Sequence, residues 1–203
     1  LVVNKPQALR DANEKFCTAW FPECCPPALV SRNANEIREF LAECHEVVLK
    51  PLDQMGGKSV FLLREGDENT NVVIENMTAR GHIFCMVQKY LSQIKNGDKR
   101  IILIDGETIP HGLARIPAQN DFRGNLSAGA QGTGVKLTAR DHWICQQVSP
   151  WLKRKGILFA GLDIIGEFLT EINVTSPTGI RELDSLFGLN ISAKLLDAIE
   201  KRI

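Results

Sequence analysis

GLDIIGEFLTEINVTSP, residues 161–177, predicts two apolar strands joined by a turn at Gly166-Glu167. Side chains two positions apart on a strand point to the same face, so Glu171 and Asn173 project together. The hairpin brings Asp163 alongside them. Oxygen ligands without His or Cys suit Mg²⁺ or Mn²⁺ and not Zn²⁺. The segment therefore indicates a metal site for nucleotide phosphates, and a solvated polar edge of the sheet is the alternative.

The composition is that of an ordinary globular protein. Hydrophobic residues make up 44% and charged residues 24% of the 203 residues, enough chain for one large domain or two smaller lobes. The formal net charge is +0, so no global field attracts nucleic acid or an anionic membrane. No apolar run in the sequence approaches the roughly 20 residues that span a bilayer. We therefore expect neither nucleic acid nor a membrane as a partner.

The cysteines and histidines argue against a disulfide framework and against a zinc site. None of the six cysteines forms a C-x-x-C pair, and Cys24 and Cys25 are adjacent. In a chain of this size the pattern indicates reduced thiols and a cytoplasmic protein. The four histidines are scattered along the sequence, so a His-based metal site is not expected.

The rest of the chain alternates short strands with helices. The pattern predicts strands at 28–30, 46–51, 59–63, 84–88, 99–105 and 108–116. It predicts helices at 11–20, 35–44, 138–155, 178–187 and 191–202, and leaves 72–79 ambiguous. This alternation indicates an α+β (α/β) fold of two lobes. We expect a small lobe with a preceding linker helix over 1–92, and a large lobe with the metal site over 93–203.

Two glycine-containing segments differ in what they predict. Residues 119–135 are rich in Gly, Asn and Ser, and a loop of this length is usually functional or disordered. Gly57-Lys58-Ser59 is like the end of a P-loop, but Leu52 stands where that motif needs Gly. The segment also leads into a strand and not into a helix N-terminus, so a P-loop is excluded.

A different phosphate-binding arrangement explains the order of the polar residues. Lys15 and Lys50 supply charges at element ends, and the Gly56-Gly57 turn offers backbone N–H groups to phosphate. Residues 89–91 can offer backbone groups to adenine, and Asp98 can accept from ribose hydroxyls. Singly, Lys50 reads as a solvated strand end and the glycines as a simple turn. Together, in this order, they resemble an ATP-grasp enzyme, in which two α/β lobes sandwich the nucleotide.

Longer strings of sequence narrow the resemblance to one family. They are NEK at 13–15, LKPLD at 49–53, MGG at 55–57, GDKR at 97–100, ARIP at 114–117 and RGNL at 123–126, beside GLDIIG and LTEINVTSP. These strings, in register over essentially the whole chain, resemble bacterial glutathione synthetase. The resemblance implies ATP-dependent ligation of γ-glutamylcysteine to glycine through an acyl phosphate. The products are glutathione, ADP and phosphate, the metal is Mg²⁺ or Mn²⁺, and the assembly is a homotetramer.

The resemblance also implies a role for individual residues. The metal ligands correspond to Asp163, Glu171 and Asn173. The residues that bind the phosphates correspond to Lys15, Lys50, Gly56 and Gly57. Those that bind the adenine and ribose correspond to Gln88, Lys89, Tyr90, Leu91 and Asp98. The catalytic arginines correspond to Arg100, Arg115 and Arg123, the last in a mobile lid that excludes water from the acyl phosphate. The glycine end of the substrate falls near Ser176, Thr178 and Arg181.

Some features depart from the family pattern. Gln54 stands where the family has Gly, Lys58 where a small residue is common, and Gln131 where a second basic lid residue is expected. The chain begins at Leu1, and a family N-terminal domain of roughly one hundred residues is expected to be missing. Two other functions stay open. One is another ATP-grasp carboxylate–amine ligase, such as a D-alanine–D-alanine ligase, and the other is ATP binding without turnover.

Overall fold

The computed structural model describes residues 2–203 and contains two antiparallel sheets flanked by helices. The helices are α1 (Pro6–Asp11), α2 (Ala34–Cys44), α3 (Thr70–Met77), α4 (Ala139–Lys155), α5 (Ile180–Phe187) and α6 (Ile191–Glu200). The strands are β1 (Ala28–Ser31), β2 (Glu46–Pro51), β3 (Phe61–Arg64), β4 (Cys85–Lys89), β5 (Asp98–Ile104), β6 (Glu107–Thr108), β7 (His111–Ile116), β8 (Gln131–Lys136), β9 (Phe159–Ile165) and β10 (Phe168–Asn173).

The small lobe is a four-stranded sheet in the order β1-β4-β2-β3, covered by α2 and α3. The amphipathic helix α2 buries Ile37 and Leu41 against strand residues such as Leu49 and Val87. The side chain of Asn33 caps α2 by accepting the N–H of Asn35. The small lobe therefore has a core of its own, to which β2 and β4 contribute residues.

The large lobe is a six-stranded sheet in the order β10-β9-β5-β7-β8, with β6 paired to β5. Helix α4 packs Ile144, Val148 and Leu152 into a core with β5, β9 and β10, and each such buried aliphatic side chain contributes roughly 1.5–3 kcal/mol. Helices α5 and α6 belong to a second core that includes β5 and β7. Thr138 and Asp141 form a capping box at the start of α4. The remaining polar face of β9 and β10 is left for the site.

Residues 6–24 pack on the large lobe. The core that contains α4 also buries Ala8 from α1, Ala12 directly after it, and Cys17 from the 3₁₀ helix Phe16–Trp20. The predicted helix over 11–20 is wrong, because α1 ends at Asp11. The Asn13 side chain explains the break: its Oδ1 accepts the N–H groups of Lys15 and Phe16, which competes with a continuous helix.

The chain crosses between the two sheets twice, at residues 25–27 and at residues 90–97. The other strand and helix predictions agree with the structure to within a few residues. The exceptions are the predicted strand 108–116, which is divided between β6 and β7, the ambiguous stretch 72–79, which overlaps α3, and 119–135, whose last residues begin β8. The division into 1–92 and 93–203 stays a prediction. Among the helices of residues 2–203, none is both long and apolar enough to cross a membrane.

Candidate active site

A cleft lies between the two sheets and has about 770 Å³ of open space, which includes solvent at its mouth. Eleven of the residues selected from the sequence line it: Lys15, Lys50, Gly56, Gly57, Gln88, Lys89, Tyr90, Leu91, Asp98, Arg123 and Glu171. Four others, Arg100, Arg115, Asp163 and Asn173, do not line the cleft but lie in the large sheet next to Asp98 and Glu171. The structure therefore brings residues from widely separated parts of the sequence to one place.

The hairpin of β9 and β10 places its acidic side chains as predicted. Glu171 lies directly opposite Asp163 in the strand register, and Asn173 lies opposite Gly161. The Asn173 amide Nδ2 donates to the carbonyl of Gly161 at 3.3 Å, so its oxygen is turned away from that bond. Opposite residues of an antiparallel pair share a face, so the two carboxylates are neighbours.

Two buried arginines hold Asp163. Arg100 donates from Nε to Oδ1 at 2.5 Å and from Nη2 to Oδ2 at 2.9 Å, and Arg115 Nη2 lies 2.8 Å from Oδ2. Burial alone would raise the pKa of Asp163, but the two guanidiniums outweigh it and hold that pKa well below its usual range. Asp163 is therefore a fixed negative charge within the sheet.

The other two acids respond differently to burial. Asp98 Oδ2 accepts from Arg115 Nη2 at 2.6 Å, yet burial raises the pKa of Asp98 to about 6. Burial, and then the charge of Asp163, raise the pKa of Glu171. Both carboxyl groups are thus disfavoured as anions in the absence of added positive charge.

Two lysines reach the cleft from different elements. Lys15 Nζ donates to the carbonyl of Gln54 at 2.6 Å and lies 3.2 Å from Glu171 Oε1, although only 6% of the residue is exposed. Lys50 Nζ donates to Gln88 Oε1 at 2.7 Å, and burial lowers the pKa of Lys50. A buried cation that is only partly neutralised attracts an anionic ligand such as a phosphate.

Two buried polar atoms of the cleft residues have no hydrogen-bond partner. They are Gln88 Nε2, whose amide orientation is set by Lys50, and Asp98 Oδ1. An orphaned donor and an orphaned acceptor beside one cleft indicate a ligand that carries both kinds of group, as a nucleoside does. The N–H of Tyr90 is already used, since it donates to the carbonyl of Glu46 at 2.9 Å.

The loop between β2 and β3 contacts the glycine-rich segment 119–135. Ser127 Oγ and Arg123 Nη1 donate to the carbonyls of Gly56 and Gly57, each at 3.3 Å. Arg123 Nη2 also donates to Asp121 Oδ2 at 2.7 Å. This hydrogen bond lowers the pKa of Asp121 to about 2. The segment therefore closes one wall of the cleft.

The residues expected at the glycine end are less well gathered. The carbonyl of Thr178 accepts from Arg100 Nη1 at 3.3 Å, which places that turn beside the arginine cluster. Ser176 has a φ of 49° and is exposed, as is Arg181. Among the residues that the structure describes, neither of the two lines the cleft.

Four residues that were not selected as site residues either line the cleft or support the strand beside it. Lys58 and Gln54, noted only as departures, both line it. Asn125 places its Oδ1 so close to Gly57 that a Cβ there would lie 2.5 Å away. Glu14 accepts backbone N–H groups at the end of β10. Glu14 is the middle residue of the NEK string, and that position was the available signal.

Comparison with known proteins gives consistent results. The model of the prokaryotic glutathione synthetase ATP-grasp domain matches residues 14–188. Glutathione synthetase from Pseudomonas syringae pv. tomato is 57% identical over 203 residues, which is 100% of this chain and 64% of the relative. Glutathione synthetase from Coxiella burnetii is 56% identical over 201 residues, or 99% of this chain and 63% of the relative. The chain thus spans a little under two thirds of the length of these relatives.

A solved structure shares the same architecture at low identity. It is the ATP-grasp ligase PsnB complexed with minimal precursor, Mg and ADP, with a TM-score of 0.71 and 19% sequence identity. The match covers 98% of this chain and 61% of the PsnB chain. This likeness, together with the two sheets and their flanking helices, confirms the predicted α+β ATP-grasp fold.

Proposed function

This chain belongs to the prokaryotic glutathione synthetase family, whose ATP-grasp domain it carries, and we propose that it takes part in the ATP-dependent ligation of γ-glutamylcysteine to glycine. The carboxylate of the dipeptide attacks the γ-phosphorus, a C–O–P bond forms, and the bond to the bridging oxygen of ADP breaks. The glycine amine then attacks the acyl carbon, and phosphate leaves. Glutathione, ADP and phosphate are the products.

One observation supports this proposal above the others. A single cleft is lined by Lys15, Lys50, the Gly56-Gly57 loop and Glu171, and Asp163 lies directly opposite Glu171 in the adjoining sheet. Phosphoryl transfer needs positioning and charge neutralisation more than a protein nucleophile. The cleft thus brings cations for phosphate oxygens close to oxygen ligands for a metal ion.

The donor set fits Mg²⁺ or Mn²⁺ that arrives with a nucleotide. Within residues 2–203, no group of three or more His, Cys, Asp and Glu side chains forms a ready metal cage. Mg²⁺, however, is usually held by one or two carboxylates together with substrate phosphates. Glu171, Asp163 and the oxygen of Asn173 would hold it here. When bound, the metal would supply positive charge to the phosphate oxygens. The same charge would lower the pKa of Glu171, which burial and Asp163 raise.

We propose different tasks for the three arginines. Arg123 lines the cleft beside the loop that would hold the phosphates, so it is placed to stabilise charge on the transferred phosphoryl group. Arg100 and Arg115 both bind Asp163, and as positioning residues they keep that carboxylate ionised and oriented. With Ser127, Arg123 also closes the wall of the cleft, which excludes water from an acyl phosphate.

For the ligand base and ribose we propose the pocket at the interlobe crossing. Gln88, Lys89, Tyr90 and Leu91 lie at the end of β4, and the free oxygen of Asp98 suits a ribose hydroxyl. We also propose a homotetramer and a cytoplasmic location. The six free thiols are consistent with a reducing compartment. Analytical ultracentrifugation measures the number of copies in the assembly.

The test is mass-spectrometric detection of glutathione from γ-glutamylcysteine, glycine and Mg·ATP. We expect Glu171→Ala to lower product formation at least about 100-fold, as does loss of other preorganised electrostatic groups. Glu167→Ala, at the exposed turn of the same hairpin, is the matched control and should retain activity. Ligation of D-alanine in place of these substrates would move the chain to another ligase class. Nucleotide binding by the folded chain without any ligated product would contradict the proposal.

A further inference from the structure

The segment Asn13–Lys15 contacts both lobes within three residues. It lies between α1 and the 3₁₀ helix Phe16–Trp20, on the large-lobe core. Each of its side chains makes a hydrogen bond or ion pair to an element of the proposed site.

Glu14 holds the end of β10. Its Oε1 accepts the N–H groups of Val174 and Thr175, each at 2.9 Å, and its own carbonyl accepts the N–H of Ile172 at 2.8 Å. These donors lie on both sides of Asn173 and immediately after Glu171. The backbone that carries two of the proposed metal ligands is therefore fixed from outside the sheet, at the point where β10 has no further strand partner.

Asn13 and Lys15 extend the same contact to the loop after β2. Asn13 Nδ2 donates to the carbonyl of Leu52 at 2.8 Å, and Lys15 Nζ donates to the carbonyl of Gln54 at 2.6 Å. Lys15 Nζ also lies 3.2 Å from Glu171 Oε1. The segment thus joins the proposed phosphate loop of one lobe to the proposed metal strand of the other.

We propose that Glu14 is a positioning residue for the metal and phosphate site, an inference that rests on the proposed function. It sets the placement of Glu171 and Asn173, and with Asn13 and Lys15 it fixes their spacing from the phosphate loop. Outer-shell partners of this kind orient the groups that touch the ion, and their loss lowers metal affinity. Glu14 itself contacts neither the cleft nor a substrate.

The experiment measures binding without turnover. Mn²⁺ is titrated into the protein with saturating ADP, and the free ion is followed by electron paramagnetic resonance. We expect Glu14→Ala to raise the dissociation constant of Mn²⁺ about tenfold or more, the usual effect of removing such a partner. Glu14→Gln keeps an oxygen acceptor for both N–H groups and should stay within about threefold of the wild type. Glu23→Ala, a nearby exposed carboxylate, is the matched control.

The outcomes separate this inference from the proposed function. Wild-type Mn²⁺ affinity in a folded Glu14→Ala variant, with only a lower melting temperature, would show a purely structural role and overturn the inference. If that variant does not fold, Glu14→Asp withdraws the carboxylate by one methylene and gives the same comparison. Glu14-dependent binding by a chain that forms no glutathione would overturn the proposed function alone. Absence of Mn²⁺·ADP binding by the wild type would overturn both.

Discussion

Arg100 and Asp163 face each other directly across β5 and β9 and are joined by two parallel hydrogen bonds. Both side chains are nearly inaccessible to solvent, with exposed fractions of 6% and 2%. A bidentate pair of this kind fixes the carboxylate in orientation as well as in charge. Because Glu171 lies opposite Asp163 on the next strand, Arg100, Asp163 and Glu171 form one row across three strands.

Removing Arg100 should destabilise the protein strongly. Arg100→Met leaves Asp163 buried with only Arg115 to compensate its charge, and we expect a loss of about 3 kcal/mol in the free energy of unfolding. Arg64→Met breaks an exposed pair with Glu46 and should cost less than about 1 kcal/mol. Urea denaturation measures both variants. If both variants lose the same small amount of unfolding free energy, the buried pair does not make the larger contribution expected of it.

Stability should depend on pH through Asp98. Its pKa is raised from 3.8 to about 6 in the folded chain, so between these values the folded state holds a proton that the unfolded state has lost. The folded state is therefore favoured as the pH falls through this window. Without metal, the wild type should gain on the order of 1–2 kcal/mol relative to Asp98→Asn between about pH 7 and pH 4. Denaturant titrations in chelator measure the difference, and a gain on raising the pH would contradict it.

The contact between the proposed phosphate loop and the glycine-rich segment is testable at Gly57. A Cβ at Gly57 would lie 2.5 Å from Asn125 Oδ1, and its φ of +73° is strained for any other residue. Gly57→Ala should displace the segment and weaken nucleotide binding about tenfold, given that overpacking costs ~1–3 kcal/mol. Gly66→Ala is the control, because it shares the positive φ and meets nothing within 4 Å. Calorimetric titration with Mg·ADP compares them, and equal affinities would refute the contact.

The thiols should differ in their reactivity. Burial raises the pKa of Cys17, Cys85 and Cys145 to about 11 and that of Cys25 to about 12. Since the thiolate is the reactive form, a thiol whose pKa is about 11 in place of the ordinary 9 should be modified about 100-fold more slowly. Cys44 is only half-buried and should react first with a disulfide reagent. Cys44→Ser should remove the fast phase, whereas its persistence would contradict this order.

The hairpin of the site was predictable because its signal is local. Alternation along the strands and a two-residue turn predict the hairpin, but their regular register would place Thr170 opposite Asp163. A β-bulge between Leu169 and Glu171 shifts the register by one residue and brings Glu171 opposite Asp163, and the sequence pattern did not predict that shift.

The ion pairs of Asp163 were not predictable from periodicity, since Arg100 lies 63 positions away in the sequence and only the strand order brings the two side chains together. Periodicity failed over 11–20 because a single side chain, Asn13, takes two backbone donors that a helix would use.

The contact of Ser127 and Arg123 with the proposed phosphate loop was not predictable either. The glycine content of 119–135 indicated a functional loop, and the family resemblance indicated a lid. Neither specified that Ser127 and Arg123 donate to the Gly56 and Gly57 carbonyls, because these pairs are 71 and 66 residues apart. Hydrogen bonds between two irregular segments leave no periodic trace in a sequence.

The two chain crossings between the lobes have a mechanical consequence. A body tied to another at two points can swing about the line through those points, whereas twisting and sliding strain both connections. One crossing contains Pro26 and Pro27, which fix the backbone angle φ, and the other contains the 3₁₀ helix Ser92–Asn96. We therefore expect the cleft to open and close mainly by rotation about the line through the two crossings. The hydrogen bonds of Asn13 and Lys15 span the same gap, so such an opening would have to break them.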